Sequence, residues 1–213
     1  MNAREEKSAK ERILQSAVEL FARKGYAACG LREIVAAAGV SVAMVNYHFG
    51  SKESLLQAIM DRFFSRIHDI AMAHFPGDAP FELKIRGYFR EIVAFLRNNT
   101  DLARVSFTEL PHDIPGIVDF KAERVMKIVG VFASELLAGL PEHLRRRIRP
   151  EVHGPAVMGA LVSHFLVRPV IENVFDQELD DSFYESFADE LADMVLYGVL
   201  HSRPEDTTQR KES

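Results

Sequence analysis

Several features that define other protein classes are missing from this sequence. Its 213 residues contain one cysteine, Cys29, so no disulfide can form within the chain, which is typical of a reducing cytoplasm. The first dozen residues, MNAREEKSAKER, are charged and lack the apolar segment of an export signal. We find no run of the roughly 18 apolar residues that a membrane helix needs. We therefore expect a cytoplasmic protein without a membrane-spanning segment.

Catalytic and metal-binding patterns are also missing. No Ser–His–Asp or Cys–His arrangement, phosphate-binding loop or paired carboxylate motif rises above background. His143, His153 and His164 lack the i, i+4 spacing that places two ligands on one helix face. The sequence therefore favours a protein that is not an enzyme, and it predicts neither a metal nor another cofactor.

Strand patterns are almost absent, because apolar residues recur at helical spacing along most of the chain. We predict an all-α protein with three short N-terminal helices that end at Gly25, Gly39 and Gly50. A fourth helix, capped by Ser51, is expected to reach Phe75. Further helices are expected at about 80–98, 101–110, 116–139, 151–174 and 180–201.

Charge is distributed unevenly along the chain. The net charge is −5, yet residues 1–52 carry eight Lys/Arg against five Asp/Glu, a net charge of +3. The acidic remainder therefore carries −8. A basic end on an acidic body is typical of a protein that meets a polyanion with that end only.

The segment GVSVAMVNYHFGSKESL (39–55) has the pattern of a helix-turn-helix. Gly39 can take the positive φ that the turn needs, and Ser41 can cap a helix of about two turns. Val40, Val45 and Phe49 are predicted to face inward. The outward residues at the front of the helix, which in this motif enters the major groove, are Val42, Ala43, Asn46 and Tyr47.

These outward residues suggest contacts with duplex DNA. Asn46 can offer a donor and an acceptor to adenine, or it can bond only to a phosphate or water. Tyr47 and His48 can donate to phosphates, although both can instead pack partly in the core. Lys52, at the start of the next helix, can contact the DNA backbone or be merely solvated. The predicted DNA-binding set is Arg32, Ser41, Val42, Ala43, Asn46, Tyr47, His48 and Lys52.

Few cations accompany this helix, since no Lys or Arg lies between Arg32 and Lys52. The N-terminal arm, with Arg4, Lys7, Lys10 and Arg12, is expected to add contacts along the backbone or in the minor groove. We therefore expect a shallow salt dependence, corresponding to a few phosphates per helix-turn-helix rather than about six to ten.

The stretch ERILQSAVELFARKGYAACGLREIVAAAGVSVAMVNYHFGSKESLL resembles the N-terminal domain of TetR-type transcriptional repressors. The resemblance is carried by Gly25-Tyr26, Leu31-Arg32-Glu33-Ile34, Ala38-Gly39-Val40-Ser41, Tyr47-His48-Phe49 and Ser51-Lys52-Glu53. It implies an all-helical homodimer with a small-molecule pocket in the C-terminal body, whose occupation releases the operator. The sequence departs from the family pattern at Gly30, Ala43, Asn46 and Ser54.

Residues 155–175 are apolar around most of a helix, and residues 183–200 carry an apolar stripe. A helix that is apolar nearly all round needs burial on two sides. One side can be the chain's own core, and the other suggests a four-helix interface with a second copy. A core within the single chain is the alternative. Pro169 is expected to kink the first of these helices. The predicted dimer residues are Val157, Leu161, Phe165, Phe187, Leu191 and Met194.

The middle of the chain is rich in aromatic residues, which can enclose an apolar ligand pocket or simply pack as a core. Arginines among them can bind a ligand carboxylate or pair with a structural Asp or Glu. The predicted ligand-binding residues are Tyr88, Arg90, Arg104, Phe107, His164 and Arg168. The basic run at 145–149 is interpreted as a solvated linker.

The sequence thus predicts three parts: a helix-turn-helix domain (1–56), a ligand-binding and dimerisation domain (57–202) and a disordered tail (203–213). The favoured function is a DNA-binding repressor released by a small, largely apolar ligand. The alternatives are an all-helical ligand carrier or enzyme whose N-terminal helices are only structural, and an activator or a regulator that responds to a protein partner.

Overall fold

The computed structural model describes residues 3–109, 111 and 114–200, and this part of the chain forms helices and turns without a β-strand. The all-α prediction is confirmed. The helices are α1 (Ala3–Lys24), α2 (Leu31–Ala38), α3 (Val42–Phe49), α4 (Lys52–His74), α5 (Phe81–Asn98), α6 (Thr100–Thr108), α7 (Ile117–Val131), α8 (Glu142–Arg145), α9 (Pro150–Phe175) and α10 (Asp181–Leu200).

Most helix boundaries lie close to the predicted ones, with two differences. Helix α1, expected to be short and preceded by an arm, has 22 residues and includes Arg4, Lys7, Lys10 and Arg12. The second difference follows Val131. The helix predicted over 116–139 is α-helical only to Val131 and continues as a π-helical turn (Phe132–Leu136) and a 3₁₀ turn (Leu137–Gly139). The short helix α8 was not predicted, and its Glu142 pairs with Arg145 and Arg146 of the basic run on the surface. The tail predicted at 203–213 lies outside the described residues.

A continuous apolar core joins the N-terminal helices α1–α3 and the first turn of α4, hereafter the head, to the rest of α4 and the remaining helices, hereafter the body. Ile13 and Phe21 of α1 and Ile59 and Phe63 of α4 all belong to this core and are almost completely buried. Helix α4 has 23 residues, so it extends about 35 Å from the head into the body. The domain boundary predicted at residue 56 falls inside α4, and the head and the body therefore share this helix.

In the body, α10 packs along α5, and a row of ion pairs joins the two helices. Arg86 donates to Asp193 at 2.7 Å, and Arg90 makes a two-pronged contact with Asp189 at 3.1 and 2.9 Å. Arg97 pairs with Asp181 at the other end of the row. Each of these aspartates is at least one third exposed, so the ion pairs add little to the stability of the fold. Their main effect is to fix the register of α10 on α5.

Helix α9 is long and apolar, and this requires a correction to the sequence analysis. A window within Pro150–Phe175 is long and apolar enough to cross a membrane by composition alone. The helix nevertheless packs Leu161, Val162 and Phe165 into the core of the body. It also contains Pro155 and Pro169 within its bounds, and no other helix of the described residues meets the same criterion.

Candidate functional site

Local interactions that the sequence specifies hold the start of α3 and the turn before it. The Ser41 hydroxyl accepts a hydrogen bond from the Met44 N–H at 3.4 Å, which caps the first turn. Gly39 adopts a left-handed conformation with φ of 63°, and its N–H reaches the last carbonyls of α2. Val45 is completely buried between the helices. These contacts fix which side of α3 faces solvent.

The opposite side of α3 is exposed, as the periodicity predicts. The side chain of Tyr47 is 72% exposed and that of Val42 is 41% exposed, which is unusual for large apolar groups. Ala43 and Asn46 are exposed beside them. The helix therefore presents a small surface with an amide, a phenol and two aliphatic groups, and it carries no charge.

His48 lies at the border of this surface. Its ring is half-buried between Tyr47 and Phe49, at centroid distances of 5.0 and 6.4 Å. The Nε2 atom is buried and has no hydrogen-bond partner among the described residues. His48 therefore belongs partly to the packing of α3, which is the alternative that the sequence left open.

The cations around α3 are anchored in different ways. Arg32 is exposed on α2, whereas the Arg12 guanidinium donates to the Ala38 carbonyl at 3.2 Å. The Lys10 ammonium lies 5.8 Å from the ring centre of Phe49, and the Lys52 ammonium lies 4.0 Å from that of Tyr26. The side chains of Arg4 and Lys7, which were predicted to extend this set, lie outside the described residues.

Helix α3 is short, follows a glycine turn and has a capped start, a buried inner side and an exposed front. This is the geometry of a helix-turn-helix. The sequence model of the tetR family of bacterial regulatory proteins matches residues 13–59, which cover most of the head and the start of α4. The head is thus a TetR-type DNA-binding domain.

Known TetR-type and related regulators resemble this chain over most of its length. The probable HTH-type transcriptional regulator YttP of Bacillus subtilis is 25% identical over 190 residues, which cover 86% of this chain and 90% of YttP. The structure of the fatty acid degradation regulator FadR from Bacillus halodurans superposes with a TM-score of 0.69 at 17% identity, over 88% of this chain and 98% of that one.

A second solved structure, the regulator FadR from Bacillus subtilis in complex with stearoyl-CoA, gives a TM-score of 0.63 at 16% identity. The match covers 88% of this chain and 98% of FadR. At these identities the two solved structures establish a shared fold for the head and the body.

Two of the predicted ligand-binding arginines have structural partners in the body. Arg90 pairs with Asp189, and Arg168 pairs with Glu172 at 2.8 Å while donating to the Leu179 carbonyl. The hydrogen bond from Arg168 and that from the Leu179 N–H lower the pKa of Glu172. For these two arginines the alternative of a structural ion pair is the one found.

The other predicted ligand-binding residues are dispersed. Tyr88 is buried in the core, and this burial raises the pKa of its hydroxyl. His164 lies among aromatic rings, with the Phe187 centroid 4.1 Å away. Arg104 is half-buried and Phe107 is 37% exposed, both on α6. One surface depression is lined by Arg168 and another by Arg90, and the remaining four residues line neither.

The predicted dimer residues also divide into two groups, and part of that prediction needs correction. Leu161 and Phe165 are 0% and 3% exposed within a single protomer, so they leave no surface for a partner. Val157, Phe187 and Leu191 are half-buried, and Met194 is 68% exposed. Among the described residues, the large apolar residues that α9 and α10 expose are Val152, Val167, Val170, Val174, Phe175, Met194 and Tyr197.

Proposed function

We propose that this chain is a TetR-type repressor that inserts the exposed front of α3 into the major groove of its operator. The observation that carries the proposal is the exposure of Val42, Asn46 and Tyr47 on a helix whose other side is locked by the buried Val45. An uncharged, accessible helix edge beside a basic arm suits a groove in which base edges are read.

Each exposed side chain has a role that its chemistry suits. Asn46 pairs with an adenine through its amide, and Val42 and Ala43 contact thymine methyl groups. Tyr47 and Lys52 contact phosphates, and Ser41 and Arg32 lie where they can reach the same strand. His48, with its buried Nε2, contributes through packing and through the part of its ring that is accessible.

An electrophoretic mobility shift with the DNA that flanks the protein's own gene tests this assignment. Asn46→Ala removes the amide. We expect the affinity for that DNA to fall about tenfold or more, because a bidentate base contact contributes about 1–3 kcal/mol. Asn98→Ala, at the exposed end of α5, is the matched control and should bind like the wild type. Equal binding by both variants contradicts the assigned contact.

The proposed repressor acts as a homodimer that pairs through α9 and α10. Val167, Val170 and Val174 follow one another at i, i+3 and i+7, so they share one exposed stripe of α9. Met194 and Tyr197 expose further apolar surface on α10. A two-fold dimer would place two heads at half-sites about 34 Å apart.

Light scattering after gel filtration tests the dimer. Val170→Asp places a charge on the proposed interface and should give a monomer, because a buried unpaired charge disfavours association. Val118→Asp, on the exposed side of α7, is the matched control and should remain dimeric. A dimeric Val170→Asp variant contradicts the proposed surface.

The proposed effector is a small molecule with a long apolar part, which the body binds in the cytoplasm without converting it chemically. Tyr88 packs with Phe75 and Phe132 at centroid distances of 4.8 and 5.5 Å, and Phe132 begins the π-helical turn. Such turns often occur at functional sites. FadR from Bacillus subtilis, which shares this fold, has been solved with stearoyl-CoA. A long acyl thioester is therefore the first effector to test.

The test is a titration of stearoyl-CoA into the complex of the protein with its flanking DNA, followed by fluorescence anisotropy. We expect release of the DNA by stearoyl-CoA and no release by coenzyme A alone. Tyr88→Phe should change the effector concentration that is needed without changing the affinity for DNA. Retention of DNA at every effector concentration excludes acyl thioesters.

A further inference from the structure

Lys52 has an aromatic partner that the sequence did not predict. Its ammonium lies 4.0 Å from the ring centre of Tyr26 and 6.0 Å from that of Phe21, which is the range of a cation–π contact. Tyr26 belongs to the turn between α1 and α2, and Lys52 is the first residue of α4. The two residues are 26 positions apart in the sequence, so only the fold of the head brings them together.

The ring of Tyr26 is itself held in place. It is 5% exposed and packs edge-on against Phe21 at 5.3 Å. Its carbonyl accepts the Cys29 N–H at 3.2 Å, which fixes the turn. Its side chain also hydrogen-bonds to Glu53, whose pKa is lowered by its own backbone N–H, by the Ser51 hydroxyl and by Tyr26. Tyr26 therefore contacts both charged residues at the start of α4.

The aromatic partner leaves Lys52 without an ion pair, although the Lys52 charge also acts on the neighbouring Glu53 and lowers the pKa of that carboxyl. Among the described residues, no carboxylate lies within 4 Å of the Lys52 ammonium, whereas Lys24 pairs with Glu33 and Arg62 pairs with Glu11. A carboxylate partner would compete with a phosphate for the ammonium. A ring face restricts the flexible lysine stem while leaving N–H donors of the ammonium available.

We propose that Tyr26 is a positioning residue for DNA: its ring holds the Lys52 ammonium, unpaired, at the edge of the head where the phosphate backbone passes. This inference rests on the proposed DNA binding. The position of the Lys52 ammonium matters because Lys52 is the first cation after Arg32 in the sequence. A single ammonium therefore carries a large share of the phosphate contacts.

The test is a double-mutant cycle on a labelled duplex of arbitrary sequence, measured by fluorescence anisotropy over a series of KCl concentrations. Tyr26→Phe retains the ring and should bind like the wild type. Tyr26→Leu removes the ring. We expect the affinity for the duplex to fall about two- to fivefold per head and its salt dependence to become shallower. In a Lys52→Met background, Tyr26→Leu should have no further effect. Lys24→Met is the control for removing a lysine from the head and should leave the salt slope unchanged.

Two results of the DNA titrations overturn the inference. One is an unchanged salt slope in Tyr26→Leu. The other is an equal loss of affinity with Lys52 already replaced, which would mean that Tyr26 acts only through folding. A measurement without DNA separates this from the proposed function. The Lys52 ε-protons should show an upfield ring-current shift in the wild type and in Tyr26→Phe. Unshifted Lys52 protons in the wild type refute the positioning by Tyr26, whether or not the protein binds DNA. This measurement does not depend on whether Tyr26→Leu folds. A wild type with shifted Lys52 protons that binds no duplex refutes the DNA function alone.

Discussion

The ring of His74, at the end of α4, occupies the space that a side chain on Gly87 of α5 would need. A Cβ atom at Gly87 would lie 2.6 Å from His74 Nδ1. The same ring forms a 2.7 Å contact between Nε2 and Glu91, which also pairs with Arg66 at 2.6 Å. The far end of the helix that carries the head is thus fixed on α5 at a site where only glycine fits.

This relationship predicts that Gly87→Ala destabilises the protein although alanine is the better helix former. The substitution must displace His74 and break its contact with Glu91, and urea denaturation should show a lower free energy of unfolding. In a His74→Ala background the clash is absent, so Gly87→Ala should then stabilise by up to about 1 kcal/mol. The same sign of effect in both backgrounds contradicts the packing described.

Gly39 gives a second prediction, which concerns the turn before α3. Its φ is 63°, and no other group lies within 4 Å of the position that a Cβ atom would take, so the requirement for glycine is conformational rather than a matter of space. Gly39→Ala should lower the free energy of unfolding by about 1–2 kcal/mol, and Gly39→Asn should lower it less, because asparagine tolerates this conformation. Equal stability of the alanine and glycine forms in urea denaturation argues against the left-handed turn.

The half-buried His164 of the body gives a pH dependence. Burial and then the nearby Arg168 lower the pKa of His164 below its ordinary value of 6.5. The unfolded chain therefore binds this proton more readily than the folded one, and stability present above pH 6.5 is lost as the pH falls below it. His164→Phe keeps an aromatic ring in the cluster but cannot titrate. Its urea midpoint should fall less between about pH 7 and pH 5 than that of the wild type. An identical fall in both proteins contradicts the assigned burial.

The scarcity of cations around α3 predicts a shallow salt dependence of DNA binding. Arg32, Lys52, the arm and the helix-end amides offer a few phosphate contacts per head. The slope of log affinity against log salt should therefore be well short of that for about six to ten phosphates per head. A slope as steep as that would require basic side chains that this surface does not supply.

How much of the fold and of the candidate site could be predicted from the sequence depended on how far apart in the chain the interacting residues lie. The start of α3, and the side that it exposes, follow from Ser41, Gly39 and Val45, which act within a few residues. The structure agrees with the sequence there because local capping and periodicity decide the outcome.

The failures involve contacts between distant segments. Helix α9 is apolar on most sides, so periodicity could not tell which side meets its own body, and Leu161 and Phe165 were assigned to the wrong one. Arg90 finds its partner in Asp189, 99 positions away. The Lys52–Tyr26 contact was missed for the same reason, since no local pattern indicates which ring a lysine will meet.

The central claim is that a pair of heads reads DNA with the exposed front of α3, and chemical interference on the DNA beside the protein's own gene tests it most directly. Diethyl pyrocarbonate modifies purine N7 in the major groove, and dimethyl sulfate also methylates adenine N3 in the minor groove. Modification of bases in the major groove should block binding at two clusters on one face of the duplex, about one helical turn or a whole number of turns apart. Asn46→Ala should lose interference at its own contact in both clusters. Interference confined to the minor groove, or a pattern that Asn46→Ala leaves unchanged, would contradict the account.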